Sequence, residues 1–296
     1  MQKNFYMLSQ NNTFSFKWIE KREFFDNKSR NKFVVEKLIQ LKHKRSMIDL
    51  GCGTGSFAIW CLLNKIFFKD ILLIDHDRSL TKHIHNFLKK RLDNNYKIKG
   101  NSHLNKFILN YMKEDIVNIT IKNENIIEYV NELKNFDVIS LSAISDLLSK
   151  SIIKKILSNS SKGQVLLFTL CFNGVIKWNP INKYDKYIKN IFLKDMKQDK
   201  GLGPSLGCDF TKYFLDLTKK TSHTIEIRDS SWIIDCKDLR SVDFQKTYLK
   251  IIYNALRKRN DTSIDILKSW NSFRLKEINK TSSKLVVGHD DIFLKI

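Results

Sequence analysis

Three glycines in five positions follow a short apolar run in residues 47–57, which read MIDLGCGTGSF. The apolar run, the glycines and the helical pattern SFAIWCLLNK at 56–65 predict a strand, a tight turn and a helix in succession. Because glycine has no side chain, backbone amides at the start of such a helix can approach a ligand closely, as they do in nucleotide-binding turns. The alternative is an ordinary strand-to-helix turn that binds nothing.

Strand and helix patterns alternate along the rest of the chain, which is typical of an α/β fold with a parallel sheet and crossover helices. Further strands are predicted at 71–75, near 107–110, at 136–142 and at 163–170, and helices at 79–92 and near 146–158. An amphipathic helix at 29–43 precedes the first strand. Strands at 223–229 and 290–296 enclose a mainly helical stretch at 238–280, and the Asn-rich residues 93–105 are predicted to form a surface loop.

The spacing of the glycines distinguishes two kinds of nucleotide site. A dinucleotide-binding turn has the pattern G-x-G-x-x-G, which would require a glycine where this chain has Ser56. Here the order is Gly51-x-Gly53-x-Gly55, and Asp49 stands two residues before the first glycine. This D-x-G-x-G-x-G pattern resembles the first motif of the class I S-adenosylmethionine-dependent methyltransferases, a Rossmann-like family.

The resemblance implies a cofactor, S-adenosyl-L-methionine, and a set of residues that hold it. The backbone of the turn, from Gly51 through Cys52 to Gly55, would hold the methionine portion, and Asp49 would support its ammonium group. In that family an acid at the end of the second strand accepts hydrogen bonds from both ribose hydroxyls, a position that falls on Asp75, followed by His76. The acid or amide that receives the adenine amino group falls on Asp115, with Glu114 beside it.

The resemblance also implies a three-layer α/β/α sandwich around a seven-stranded, mostly parallel sheet whose last strand is antiparallel. Residues 1–45 are expected to form an N-terminal helical cap, and residues 46–296 the methyltransferase domain. Within that domain we expect a lid-like segment near 175–222 and a helical insertion near 238–280.

The methyl acceptor is expected at the end of the fourth strand, where the sequence reads SLSAISDLL from Ser140. It lacks the N/D-P-P-Y/F signature of enzymes that methylate the amino groups of bases or side-chain amides. Ser142 is a candidate substrate contact, and Asp146 a candidate base. The alternative for Asp146 is a helix N-cap.

Two further segments are candidates for the acceptor pocket. DKGLGPSLG at 199–207 is rich in glycine and suggests a loop over the substrate that includes Lys200 and Gly201; the alternative is a connector between helices. The segment 18–30 offers Arg22 as a substrate contact, although it also spaces Asp26 and Arg30 for a simple i, i+4 ion pair. Together with SAISDL at 142–147, these segments resemble a bacterial subgroup of the family.

Two residues near the end of the chain are weaker candidates for the pocket. Trp232 is placed either to stack on an acceptor ring or to cap the core, and His289 to lie at the pocket rim.

The formal charge of +21 raises the question of nucleic acid binding. Most of the basic residues are lysines spread along the chain, which favours a lysine-coated surface over a nucleic-acid footprint. We therefore predict transfer to a small-molecule oxygen or nitrogen. An RNA methyltransferase and a non-catalytic, partner-binding methyltransferase fold remain the alternatives.

Cysteine usage and the N-terminus bear on the compartment. The five cysteines are scattered without CxxC pairs, so neither a disulfide framework nor a zinc site is predicted, and the histidines show no metal-ligand spacing. No segment has the pattern of a secretory leader or a membrane span. These features predict a cytoplasmic protein without a metal.

Overall fold

The computed structural model describes residues 16–41, 45–101, 105–112, 115–199, 201–219 and 223–296. Its first half contains α1 (Phe16–Ser29), α2 (Lys32–Gln40), β1 (Ser46–Leu50), α3 (Ser56–Leu63), β2 (Asp70–Ile74), α4 (Arg78–Thr81), α5 (Ile84–Arg91), β3 (Tyr96–Asn101), β4 (Lys106–Tyr111), β5 (Asp115–Lys122), a 3₁₀ helix (Ile126–Asn135) and β6 (Val138–Ser142).

The second half begins with a 3₁₀ turn (Ser145–Leu147) and continues with α6 (Lys150–Ser158), β7 (Val165–Asn179), α7 (Asp185–Met196), a second 3₁₀ turn (Gly207–Asp209), α8 (Phe210–Thr218), β8 (Thr224–Asp229), β9 (Trp232–Asp235), α9 (Leu239–Leu256), α10 (Ile264–Asn279) and β10 (Lys284–Lys295).

The strands form one sheet in the order β3-β4-β5-β2-β1-β6-β7-β10-β8, and β9 also pairs with β10. The central strands β5, β2, β1, β6 and β7 are parallel, whereas β10 is antiparallel to β7 and β4 is antiparallel to both β3 and β5. Apolar side chains alternate between the two faces of β1: Met47 packs with α2, α3 and α5, while Ile48 packs with α6 and α8. The predicted α/β/α layering is therefore confirmed.

A third apolar core lies beyond the carboxyl edge of the central strands. β7 continues for ten residues past Thr169, the partner of the last residue of β6. At about 3.3 Å per residue, this extension projects roughly 30 Å. It pairs with β10, which also pairs with β9, and together they pack against α1, α7, α9 and α10. The antiparallel ribbon thus carries the 239–279 helices toward the edge where functional sites of open α/β sheets lie.

The structure differs from the sequence-based prediction in several elements. The sheet has ten strands instead of seven, because 96–111 forms the β3–β4 hairpin and β9 adds a short strand. The predicted surface loop at 93–105 is therefore wrong over Tyr96–Asn101. The strand near 107–110 exists as β4, but the third parallel strand is β5.

The observed helices differ from the predicted ones mainly in where they begin, end or break. The helix predicted at 29–43 is the end of α1 followed by α2, and the helix at 79–92 is split into α4 and α5. The helix near 146–158 begins only at Lys150, with Ser149 as its N-cap. The structure leaves the division into a cap, a domain and a lid as a prediction.

Candidate functional site

The turn after β1 has an unusual backbone. Left-handed conformations occur at all three glycines, with φ of 73° at Gly51, 54° at Gly53 and 73° at Gly55. The amides of Gly51 and Cys52 both donate to Ile74 O, at 2.8 and 3.0 Å, and so tie the turn to the end of β2. Among the described residues, a Cβ placed on Gly53 would meet only Ile19 Cδ1, at 3.8 Å. The space beside this residue therefore admits a ligand.

Asp75 follows the last residue of β2 and is held against the same turn. Its Oδ2 accepts from Gly53 N and its Oδ1 from Asp77 N, both at 2.8 Å. Burial raises the pKa of this carboxyl above 3.8, while the two amides act in the opposite direction. His76 is exposed, with Nδ1 3.8 Å from Asp75 Oδ1. The two amides fix the Asp75 carboxylate at the carboxyl edge of the sheet.

Asp49 lies in β1 and is almost completely buried. Its Oδ1 accepts a hydrogen bond from Ser140 Oγ, whereas its Oδ2 has no hydrogen-bond partner among the described residues. Burial raises its pKa to about 7, opposed by the Ser140 hydrogen bond and by Arg30. Thr54 Oγ1, in the same turn, is likewise buried and unpaired within the described ranges. Because buried polar atoms are nearly always satisfied, this pair of oxygens indicates a place for a hydrogen-bonding ligand.

Arg30, between α1 and α2, is a buried cation beside this turn that the sequence pattern suggested only as a partner for Asp26. Its Nη1 donates to Asn27 Oδ1 at 2.5 Å and its Nη2 to Ser142 Oγ at 3.1 Å. The predicted Asp26–Arg30 ion pair is wrong, because Asp26 turns to Arg22 instead. The sequence carried no signal for this position beyond the charge itself.

The backbone around Arg30 and Ser142 contains further unusual conformations. Ala143 and Leu170 adopt φ of 57° and 56°, although neither is glycine, and they directly follow Ser142 and Thr169, the last pair that joins β6 to β7. Each such residue costs about 1 kcal/mol of conformational free energy. Ala143 N donates to Thr169 O, and Leu170 N to Asp291 Oδ1, both at 2.8 Å, so hydrogen bonds hold the two conformations in place.

A second group of polar side chains lies where α1 meets the third core. Arg22 pairs with Asp26 through Nε at 2.9 Å and Nη2 at 3.3 Å. Trp232 Nε1 donates to the same carboxylate at 3.0 Å, and the Arg22 guanidinium lies 5.0 Å from the Trp232 ring centre. The ion pair is thereby fixed against an aromatic wall that includes Trp18 and Tyr248.

Asp146 and His289 face the same region. Burial raises the pKa of Asp146 to about 6, with Arg22 acting in the opposite direction. Burial lowers the pKa of His289 to about 3, and Arg22 adds to that effect. The His289 ring centre lies 4.4 Å from that of Trp232 with the two planes tilted by 52°, and its Nδ1 has no partner among the described residues. We call Arg22, Asp26, Asp146, Trp232, Tyr248 and His289 the aromatic cluster.

Of the alternatives considered for Asp146, the helix N-cap is wrong. α6 begins at Lys150 with Ser149 in the N-cap position, and Asp146 lies in the preceding 3₁₀ turn. Its carboxyl is therefore not used to cap that helix.

The described residues of the 199–207 segment pack beside the 3₁₀ turn that contains Asp146. Asp199 Oδ1 accepts from Gly201 N at 2.7 Å and from Gly203 N at 3.0 Å. Ser205 Oγ donates to Leu147 O at 3.1 Å, and Leu206 N to Leu148 O at 3.0 Å. The loop thus lies against the residues that follow Asp146, whereas Lys200 lies outside the described residues.

The assignment of Asp115 to the adenine contact is wrong in its register. β5 runs parallel to β2, and Ile74 pairs with Lys122, so Asp115 begins the strand at the opposite edge of the sheet. The carboxyl end of β5 is followed by Asn123, whose side-chain amide donates to Thr81 Oγ1 at 2.5 Å. The alternation of apolar and polar residues along β5 is the sequence signal that could have located the carboxyl end of this strand. Glu114 lies outside the described residues.

Neither a metal centre nor a membrane span is found in the described part of the chain. No group of three or more His, Cys, Asp or Glu side chains there is arranged to hold a metal ion. Every helix in those ranges is too short or too polar to span a bilayer.

The chain is similar to several solved structures. One is a SAM-dependent methyltransferase from Thiobacillus denitrificans in complex with S-adenosyl-L-homocysteine, at 11% identity and a TM-score of 0.42, covering 97% of this chain and 94% of that one. Another is the plantazolicin methyltransferase BpumL, also with S-adenosyl-L-homocysteine, at 14% identity and a TM-score of 0.44, covering 99% and 91%.

A third similar structure is a putative methyltransferase from Bacillus halodurans, at 10% identity and a TM-score of 0.45, covering 88% of this chain and 96% of that one. No protein-family model and no curated protein sequence matches the chain. At identities this low and TM-scores below 0.5, no residue role is carried over from these structures.

Proposed function

We propose that this protein is an S-adenosyl-L-methionine-dependent methyltransferase that acts on an oxygen or nitrogen atom of a small molecule. The observation that supports it most directly is the placement of two buried carboxylates at one open glycine turn. Asp75 is fixed there by Gly53 N, and Asp49 presents the unpaired Oδ2. A ribose diol and an ammonium group are donors that suit these two acceptors.

The turn itself would position the donor. The positive φ of Gly53 and the open space beside it allow the ligand to contact the backbone between Gly51 and Gly55. Cys52 contributes its backbone there, and His76 lies at the exposed side of Asp75. S-adenosyl-L-methionine supplies the methyl group and the sulfur leaving group. The protein has to hold an acceptor atom opposite that sulfur and exclude water.

The aromatic cluster is the acceptor pocket in this proposal. Arg22, held by Asp26 over Trp232, would orient a polar group of the acceptor against a flat aromatic wall. Asp146, with a pKa of about 6, is mostly ionised at neutral pH and would accept the proton that an O–H or N–H acceptor loses. Ser142, Lys200 and Gly201 are proposed to line the entrance.

The proposal is tested first at the cofactor site. Calorimetric titration with S-adenosyl-L-homocysteine is expected to give micromolar binding to the unaltered chain and a loss of at least tenfold in Asp75→Ala, since two charge-assisted hydrogen bonds are removed. Asp75→Asn keeps the size of the side chain and separates lost charge from lost packing. Asp70→Ala is the matched control, because Asp70 lies exposed at the other end of the same strand.

Absence of binding to the unaltered chain would contradict the proposal and favour a partner-binding module. Equal losses in Asp75→Ala and Asp70→Ala would mean that the substitutions act through the fold. Thermal melting of each variant provides that comparison.

RNA methylation is the second candidate, favoured by the charge of +21. Incubation of the protein with total RNA and methyl-labelled cofactor decides between the two. We expect weak, salt-sensitive association and no label in the RNA. Label recovered in RNA at 150 mM salt, roughly physiological ionic strength, would replace the small-molecule acceptor.

A further inference from the structure

Arg30 is a buried cation that the proposed acceptor pocket does not use. It is 4% exposed, and its Nε has no hydrogen-bond partner among the described residues. Nη1 and Nη2 donate to the neutral oxygens of Asn27 and Ser142. Burial lowers its pKa, which means that the environment disfavours its charge.

The carboxylates around Arg30 are engaged elsewhere. Asp26 forms its ion pair with Arg22 and accepts from Trp232. Asp291 accepts from the backbone amides of Asn31 and Leu170, both at 2.8 Å. Within the described residues, Arg30 forms no ion pair at 4.0 Å or less, so its charge is balanced only at longer range. Leaving a buried charge without a direct counterion is costly.

Arg30 lies beside the glycine turn. Its guanidinium carbon is 5.6 Å from the ring centres of Phe57 and Trp60, which form the first turns of α3 directly after Gly55. It is also close enough to Asp49 to lower that residue's pKa. Beside the turn, Asp49 Oδ2 and Arg30 Nε are both buried and both without a partner in the described ranges. Glu23 Oε1 is also buried and unpaired, but its carboxylate already has a cation, Arg91.

Two unpaired groups of opposite charge match a ligand that carries both charges. An α-amino acid group provides an ammonium for Asp49 and a carboxylate for Arg30. A guanidinium matches the two oxygens of a carboxylate better than the ammonium of a lysine side chain does. We propose that Arg30 binds the carboxylate of the amino-acid end of the donor. This inference rests on the proposed function, because it assigns a residue to the same cofactor.

The position of Arg30 gives this contact a structural consequence. The residue after it, Asn31, is anchored by its backbone amide to Asp291 Oδ2 at 2.8 Å and by its side chain to Asp229 O at 2.9 Å. In α1, Ile19 lies beside Gly53, with its Cδ1 3.8 Å from where a Cβ on that glycine would be. Donor binding through Arg30 therefore stabilises the junction of α1 and α2 over the carboxyl edge of the sheet.

The test compares two ligands that differ only in the carboxylate. S-adenosyl-L-homocysteine and its decarboxylated analogue, which keeps the amine, are titrated into the unaltered chain and into Arg30→Gln. Removing the carboxylate is expected to weaken binding to the unaltered chain about 10- to 100-fold, the range for a hydrogen bond to a charged group. Arg30→Gln is expected to lose a similar factor for S-adenosyl-L-homocysteine and little more for the analogue.

Controls separate this contact from a general effect on the fold. 5′-Methylthioadenosine lacks the whole amino-acid end and is expected to bind the unaltered chain and Arg30→Gln equally. Arg259→Gln removes a partly exposed arginine outside the site that pairs with Asp195 and Asp261, and it should leave all three affinities unchanged. If Arg30→Gln does not fold, Arg30→Lys takes its place and is expected to retain part of the carboxylate preference.

Three results would overturn the inference. The first is equal binding of the two ligands to the unaltered chain. The second is an equal loss of both ligands in Arg30→Gln, which would make the residue structural. The third is unchanged S-adenosyl-L-homocysteine binding in Arg30→Gln. Failure of the unaltered chain to bind any of the three ligands would instead contradict the proposed function.

Discussion

Gly53 combines two requirements that are separable by experiment. Its φ of 54° disfavours any side chain, and the space beside its Cα is open. The first requirement concerns folding and the second concerns the ligand. Gly163 has φ of 92° and lies in an exposed turn before β7, where an added Cβ would meet no described residue within 4 Å beyond its chain neighbours. Gly163 therefore has the same kind of backbone strain as Gly53 but lies outside the candidate site.

We predict that Gly53→Ala and Gly163→Ala each lower the free energy of unfolding by about 1 to 2 kcal/mol, because both force alanine into a positive φ. Only Gly53→Ala is expected to weaken S-adenosyl-L-homocysteine binding, by tenfold or more, since its methyl group occupies the space of the ligand. Urea denaturation and calorimetry measure the two effects. Equal affinity in both variants would show that the turn does not contact the ligand.

Asp49 makes the stability of the free protein depend on pH. Its pKa rises from 3.8 to about 7 in the folded state because of burial. Between those values the folded state holds a proton that the unfolded state has lost, so the contribution of this group to stability falls as pH rises from about 4 to about 7. Below pH 4 both states are protonated and the penalty is absent.

Asp49→Asn removes this penalty while keeping the oxygen that accepts from Ser140. We expect the variant to be more stable than the unaltered chain at pH 8, by up to about 4 kcal/mol, with the difference shrinking toward pH 4. The same substitution should weaken S-adenosyl-L-homocysteine binding, because it removes the anionic partner for the ammonium. Urea denaturation across this pH range is the measurement. A difference that grows toward low pH would have the wrong sign.

At the level of elements, two of the contacts that join α1 to the rest of the molecule can be compared directly, one buried and one exposed. The buried one is Asp26, shared by Arg22 and Trp232. The exposed one is the ion pair between Lys21 and Asp243 at 2.8 Å. Both connect the same helix to the β9–α9 region, so they form a matched pair in different environments.

We predict that Asp26→Ala lowers the free energy of unfolding by about 3 to 5 kcal/mol, because it leaves the Arg22 charge and the Trp232 indole N–H without their partner. Asp243→Ala should cost less than about 1 kcal/mol, as an exposed ion pair does. Chemical denaturation of both variants provides the comparison. Similar small losses would show that the Asp26 contact contributes little to the docking of α1.

At the scale of the whole molecule, the sequence correctly predicted the α/β class and four of the five central parallel strands. Periodicity located β1, β2, β6 and β7, since buried parallel strands are short apolar runs between turns. It missed β3 and its hairpin with β4, because the Asn-rich residues 93–105 read as a loop until the pairing of Tyr96 with Tyr111 makes 96–101 a strand. Strand pairing overrides local composition in this case.

The residues of the candidate site likewise separate into those that local sequence predicts and those that only the tertiary structure brings together. Asp49, Asp75 and the glycines were predictable, because their positions relative to strand ends follow from local sequence. The register of β5 decided against Asp115. Arg30 meets Ser142 across 112 residues, and Asp26 meets Trp232 across 206. No local pattern encodes such contacts.

The sequence by itself therefore determined the glycine turn, the acids beside it and the layered sheet that presents them. All of these depend on backbone conformation and short-range periodicity. Only the tertiary structure decided which charges pair and which stay unpaired, because burial and long-range packing set the balance between a buried ion pair and an open ligand contact. For that reason Arg22 and Arg30, eight residues apart in one N-terminal segment, reach two different parts of the site.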